Sequence, residues 1–118
     1  MITSEQEQTH LEWLKKLNLK ESDLLFYSET YQLEMRFLSP EILYEEHSGV
    51  IDENAAQEFL KMSNLISDSI KKHDPNHRAA VVANVENLKR VSRRARKMLI
   101  QDIEQWDPMI GISFAGAN

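Results

Sequence analysis

Residues 74–108 read DPNHRAAVVANVENLKRVSRRARKMLIQDIEQWDP, a run bounded at each end by an Asp-Pro pair with no Gly or Pro between. How this run is read decides the fold. Val81, Val85, Leu88, Val91, Ala95, Met98, Leu99, Ile103 and Trp106 recur in it at spacings mostly of three and four. That is the period of an amphipathic helix, and it predicts one long helix from about Asn76 to Trp106. Six cations, Lys89, Arg90, Arg93, Arg94, Arg96 and Lys97, fall opposite the apolar stripe on that helix. A basic helix face can neutralise phosphates or dock an acidic protein.

Upstream, the chain offers further helical patterns. Ser4 and Glu7 have the spacing of a capping box, and Leu11, Leu14 and Leu17 follow as a stripe that Asn18 breaks. Ser22 or Asp23 can cap a second helix reaching about Leu38. Wound as a helix, this segment carries two apolar faces. Leu24, Tyr27, Tyr31, Met35 and Leu38 form one, and Phe26, Leu33 and Phe37 form a nearly opposite one. The second face is read as a contact surface for another molecule, or as the far side of a helix sandwiched in the bundle. Ser39-Pro40-Glu41 has the form of a helix start, predicting a short helix to His47 that Gly49 ends. Asp52 or Asn54 caps the next, with the stripe Ala55, Phe59, Met62, Ile66, Ile70 up to about Lys72. Lys71, Lys72 and His73 suit its carboxyl end. Residues 109–118 are apolar and uncharged, and read as an extended tail lying on the bundle or entering a partner. Little period-2 alternation is recognised on this reading. The expected fold is therefore all-α: an antiparallel bundle of four main helices plus one short one, in a single domain over 1–118.

Composition narrows the chemistry. A chain of 118 residues suits one domain, and can bury roughly 65% of its unfolded surface. With 42% hydrophobic and 28% charged residues it is too apolar to be wholly disordered. There is no cysteine, which removes disulfides, zinc-thiolate sites and cysteine nucleophiles. The start of the chain is polar and acidic, and no apolar run approaches the ~20 residues of a membrane span. A cytoplasmic protein with no membrane contact is expected. The net charge of -5 is uneven: residues 1–74 hold 7 Lys/Arg against 15 Asp/Glu, and residues 75–118 hold 7 against 4, so -8 + 3 = -5. An acidic first part facing a basic surface is compatible with a homodimer as well as with a foreign partner.

Other candidate sites are weaker. Glu7-x-x-His10 and Asp74-x-x-His77 have the carboxylate–imidazole spacing of di-metal bundles, with Glu34 bordering an apolar face of the second helix. Glu45-Glu46-His47 reads as an exposed helix end. Tyr27, Tyr31 and Tyr44 read as core with their hydroxyls at the rim. No Gly-rich phosphate loop or Ser-centred nucleophile motif occurs. The sequence therefore predicts a non-catalytic regulator or adaptor without cofactor or metal, acting by protein–protein interaction. The expected contact residues are Lys89, Arg90, Arg93, Arg94, Arg96, Lys97, Phe26, Leu33 and Phe37. Nucleic-acid binding by the basic face is the second reading, and a metal-dependent bundle enzyme the third.

Overall fold

The computed structural model describes the backbone of residues 3–105 and 109–115, and the side chains of residues 3–102. Its elements run α1 (Ser4–Leu17), a 3-10 turn (Glu21–Leu24), β1 (Leu25–Tyr27), β2 (Tyr31–Ser39), β3 (Ile42–Ile51), α2 (Glu53–His73), β4 (Ala79–Val91), α3 (Arg93–Gln105) and β5 (Met109–Ala115). The strands form one mixed sheet in the order β1-β2-β3-β4-β5. β1–β2 and β2–β3 are antiparallel, while β3–β4 and β4–β5 are parallel. The fold is α/β, and the all-α bundle expected from the helical periodicity is wrong.

The error has a local cause in each strand. In β2, Tyr31, Leu33, Met35 and Phe37 are buried, while Gln32 and Glu34 are exposed and Arg36 half-buried. This is a period-2 pattern with one face in the core. Winding the same residues at 100° per step creates the two opposing apolar faces, so that duality was itself the mark of a strand. The Ser39-Pro40-Glu41 signal belongs to the tight connection of the β2–β3 hairpin, closed by the Ser39–Ile42 pair. Pro suits the start of a turn as well as the start of a helix. The helix expected over Glu41–His47 is part of β3, where inward-facing Glu45 and His47 conceal the alternation.

β4 is the instructive case. From Glu46–Asn84 to Ser48–Asn87 the partner strand advances two residues and β4 three; from Gly49–Leu88 to Val50–Arg90 it advances one and β4 two. Each extra residue is a bulge that shifts the side-chain alternation by one. Before the first bulge the inward positions are Ala79, Val81 and Ala83, at steps of two; beyond it they are Leu88 and Val91, with Val85 beside the bulge, so the larger apolar residues run Val81, Val85, Leu88, Val91. The resulting spacings of four, three and three imitate a helix. The single long helix is therefore two elements, β4 and α3, separated by Ser92. Ser92 caps α3, its Oγ accepting from the Ala95 N–H at 3.1 Å. Trp106, the expected end of the stripe, lies outside the described residues. The segment read as a tail supplies β5 over 109–115, and residues 116–118 lie outside the described residues.

Two helices follow their sequence patterns. α1 begins at Ser4, but its capping box is Thr3 with Gln6 rather than Ser4 with Glu7. Asn18 ends it in the left-handed region at φ 57°, where Asn is tolerated. α2 is capped by Asp52, whose Oδ1 accepts from the Ala55 N–H at 2.8 Å.

β3-α2-β4 and β4-α3-β5 step across the sheet in the same direction. Right-handed crossovers of one direction place both helices on one face. α1 joins them there. Its buried Trp13, Leu14 and Leu17 share one core with Leu33, Phe37, Leu43, Ile66, Ile70, Val81 and Ala95. The other face carries Gln32, Glu34, Tyr44, Glu46, Ser48, Val82 and Asn84, with Glu34 and Glu46 directly paired across β2 and β3.

The β1 edge of the sheet is short and covered. β1 pairs only with Gln32–Glu34 of β2. Further along β2, His10 of α1 accepts the Phe37 N–H on its Nδ1 at 3.0 Å, and Glu7 pairs with Arg36. The side chains of α1 thus occupy the edge that β1 leaves open.

Candidate functional site

The six predicted cations do cluster, though not along one helix. Lys89 and Arg90 end β4, and Arg93, Arg94, Arg96 and Lys97 fill the first turn and a half of α3; all six are exposed. The second bulge of β4 contains Lys89. The cluster therefore sits at the carboxyl ends of the parallel strands. There the β3→α2 connection is the single residue Asp52, and the β4→α3 connection the single residue Ser92. Arg94 donates from its Nη1 to Glu53 Oε2 at 3.2 Å, tying the first turn of α3 to the first turn of α2.

In open α/β sheets, ligand clefts form at this end where helices diverge to opposite faces. Here α2 and α3 share a face and their loops are one residue long. The geometry offers a flat cationic surface instead of a crevice. The first turn of α3 contains no acidic residue, and cations at a helix amino end oppose the helix dipole by about 0.3–1 kcal/mol each at exposed positions.

Phe26, Leu33 and Phe37 do not join this surface. Leu33 and Phe37 are wholly buried, and Phe26 is half-buried against the core and stacks near Tyr31. They leave the contact set, because the second apolar face was a helical artefact of strand alternation.

The sequence reading missed a buried polar chain beneath the sheet. Tyr31, His47 and Glu45 are 0%, 4% and 5% exposed. The Tyr31 hydroxyl lies 2.7 Å from His47 Nδ1, and His47 Nε2 lies 3.0 Å from Glu45 Oε1. Burial first, and then the Glu45 charge, push the Tyr31 hydroxyl far above the usual phenol range, so it stays protonated. A protonated phenol can donate to an unprotonated Nδ1, and in that tautomer the His47 Nε2 N–H faces Glu45. Phe59 of α2 meets the imidazole edge-on, with centroids 5.3 Å apart. Nearby, Ser63 of α2 donates to Asp102 of α3 at 3.3 Å. Burial raises the Asp102 pKa, the Ser63 bond opposes that rise, and the Glu45 charge adds to it. The chain ties β2 to β3, Phe59 packs α2 against it, and the separate Ser63–Asp102 bond joins α2 to α3. The sequence signal of the chain was the single Glu-x-His step in phase with Leu43 and Ile51.

The residues suspected of binding metal are used otherwise. His10 spends its Nδ1 lone pair on Phe37, and Glu7 faces Arg36. His77 donates from Nε2 to the Pro40 carbonyl at 2.6 Å, and Asp74 accepts the Asn76 N–H. Among the described residues, no three His, Asp or Glu side chains converge as a metal site. Glu34 is engaged on the open face by the Tyr27 hydroxyl. Among the described residues, no helix is long and apolar enough to cross a membrane.

The chain matches no protein-family model, and no curated protein is detectably similar to it.

Proposed function

We propose that the protein is a small, non-catalytic cytoplasmic interaction module that docks an acidic protein through the basic end of its parallel strands. The observation that carries this reading is the convergence of Lys89, Arg90, Arg93, Arg94, Arg96 and Lys97 on one exposed surface, within a chain of net charge -5. Of these, Arg94 has an internal acidic partner in Glu53. An acidic segment laid on this surface relieves the crowding of cations at the amino end of α3. The one-residue β3→α2 and β4→α3 connections leave little chain beside these cations from which to compose a catalytic site, which favours recognition over chemistry.

Nucleic acid remains the second reading, because a cationic surface also suits phosphates. It is less favoured, since no aromatic residue is interleaved with the cations for base stacking and the whole chain is acidic. The bundle enzyme is set aside with the bundle itself.

The test is affinity capture with wild type and with Lys89→Glu/Arg90→Glu/Arg93→Glu, followed by calorimetry with the purified binder. Docking predicts an acidic protein whose affinity falls with salt and is lost in the triple variant. Capture of nucleic acid alone, or a binder indifferent to the substitutions, overturns the proposal.

A further inference from the structure

The two edges of the sheet are treated differently. The β1 edge is a three-residue strand continued by side chains of α1. The other edge is β5, a seven-residue strand, and among the described residues no strand pairs with its outer side. Its sequence, Met-Ile-Gly-Ile-Ser-Phe-Ala, contains no charge and no proline, the usual devices that protect an edge from pairing. A strand of this length offers roughly half its amides and carbonyls outward as a template.

We infer that β5 pairs with β5 of a second copy, antiparallel about a two-fold axis normal to the sheet, joining two five-stranded sheets into one. Three observations select a second copy as the occupant. The first is that this symmetry keeps the helices of both copies on one face and sets the two α3 helices side by side and antiparallel. A crossover helix lies over the strands it joins. With strands about 4.8 Å apart, a helix above the β4–β5 gap sits about 10 Å from its symmetry mate, close to the ~8–10 Å of packed helices.

The second is the charge polarity of α3. It carries Arg93, Arg94, Arg96 and Lys97 in its first five residues and Glu104 in its last four, while Asp102 is turned to Ser63 of α2. An antiparallel pair of such helices brings each basic end to the acidic end of its mate. The third is the flank presented to the edge. Taking buried Ala95 as the inward direction, Arg94 lies about 100° to one side and Arg96 about 100° to the other, with Ile100 about 40° beyond Arg96. Arg94 reaches Glu53 of α2, so Arg96 and Ile100 lie on the flank turned towards β5. Ile100 is 51% exposed, an apolar side chain placed where the two α3 helices meet.

Sedimentation velocity from micromolar to submillimolar concentration, with amide exchange read over residues 109–115, tests this. The inference predicts a monomer–dimer equilibrium and β5 amides whose protection rises with the dimer fraction. Ile100→Glu, at an exposed position, keeps the monomer folded by circular dichroism. A tenfold loss per copy, counted twice by symmetry, weakens the dimer roughly a hundredfold. Arg96→Glu also favours monomer, and adding Glu104→Arg restores the dimer by inverting the helix polarity. Lys89→Glu and Arg90→Glu, which test the acidic partner, leave dimerisation intact, so the two ideas fail separately. A monomer at every concentration, a dimer unaffected by Ile100→Glu, or a dimer whose β5 amides gain no protection overturns the inference.

Discussion

Gly49 is where a single methyl group should be most damaging. It lies in β3 opposite Tyr31 of β2 and Leu88 of β4, with φ +95°. A Cβ built there would stand 2.1 Å from the Thr30 carbonyl oxygen and 3.2 Å from the Tyr31 Cα. Both obstacles are backbone, so no rotamer change relieves them. Thr30 O also accepts the Val50 N–H at 2.8 Å, and moving it breaks that bond. Positive φ in a non-glycine residue costs about 1–3 kcal/mol, and the lost or strained hydrogen bond about 1 kcal/mol more. Gly49→Ala should therefore destabilise the fold by roughly 2–4 kcal/mol, a large part of the ~5–15 kcal/mol of a typical domain. With a urea slope of about 2 kcal/mol/M, the unfolding midpoint falls by about 1–2 M. Gly49→Asn separates the two causes. Asn accepts positive φ more readily than Ala but carries the same Cβ, so the steric account predicts little rescue. A Gly49→Ala midpoint within experimental error of wild type would refute the reasoning.

Two further expectations come from the buried polar groups. Tyr31→Phe leaves buried His47 Nδ1 without its hydroxyl partner, and should cost about 1–3 kcal/mol in urea unfolding, with the fold retained by circular dichroism. His10 is held below its ordinary pKa, first by burial and then by the Arg36 charge, while Glu7 and Glu21 pull the other way. Its neutral form is the folded one, so its contribution is complete above about pH 6.5 and is lost as pH falls from there through the folded value. The thermal midpoint should drop across that window, and His10→Gln should flatten this part of the profile.

What the sequence disclosed depended on whether a segment kept one period undisturbed. α1 and α2 have uninterrupted stripes and recognisable caps, and their limits were legible to within a residue or two. β2 was legible in principle, since Tyr31-Gln32-Leu33-Glu34-Met35-Arg36-Phe37 alternates without fault, but helical winding gave it a plausible second meaning. β3 hid its alternation by turning Glu45 and His47 inward, a choice that only their hydrogen bonds to each other and to Tyr31 make tolerable. β4 was disguised by its bulges, which convert steps of two into steps of three and four. Of the site, the cations were legible as a cluster because charge density does not depend on the fold. Their position at the carboxyl ends of parallel strands was not, because it follows from the break at Ser92. Phe26, Leu33 and Phe37 were misread for the same reason as β2.

The measurement that bears most directly on function is an amide chemical-shift map of the acidic binder recovered by affinity capture, titrated into the labelled protein. Docking at the basic end predicts perturbations concentrated over Lys89–Lys97 and the adjoining Asp52 and Glu53, fading as salt is raised. A map centred instead on Gln32, Glu34, Glu46 and Ser48, on the open face of the sheet, would contradict it.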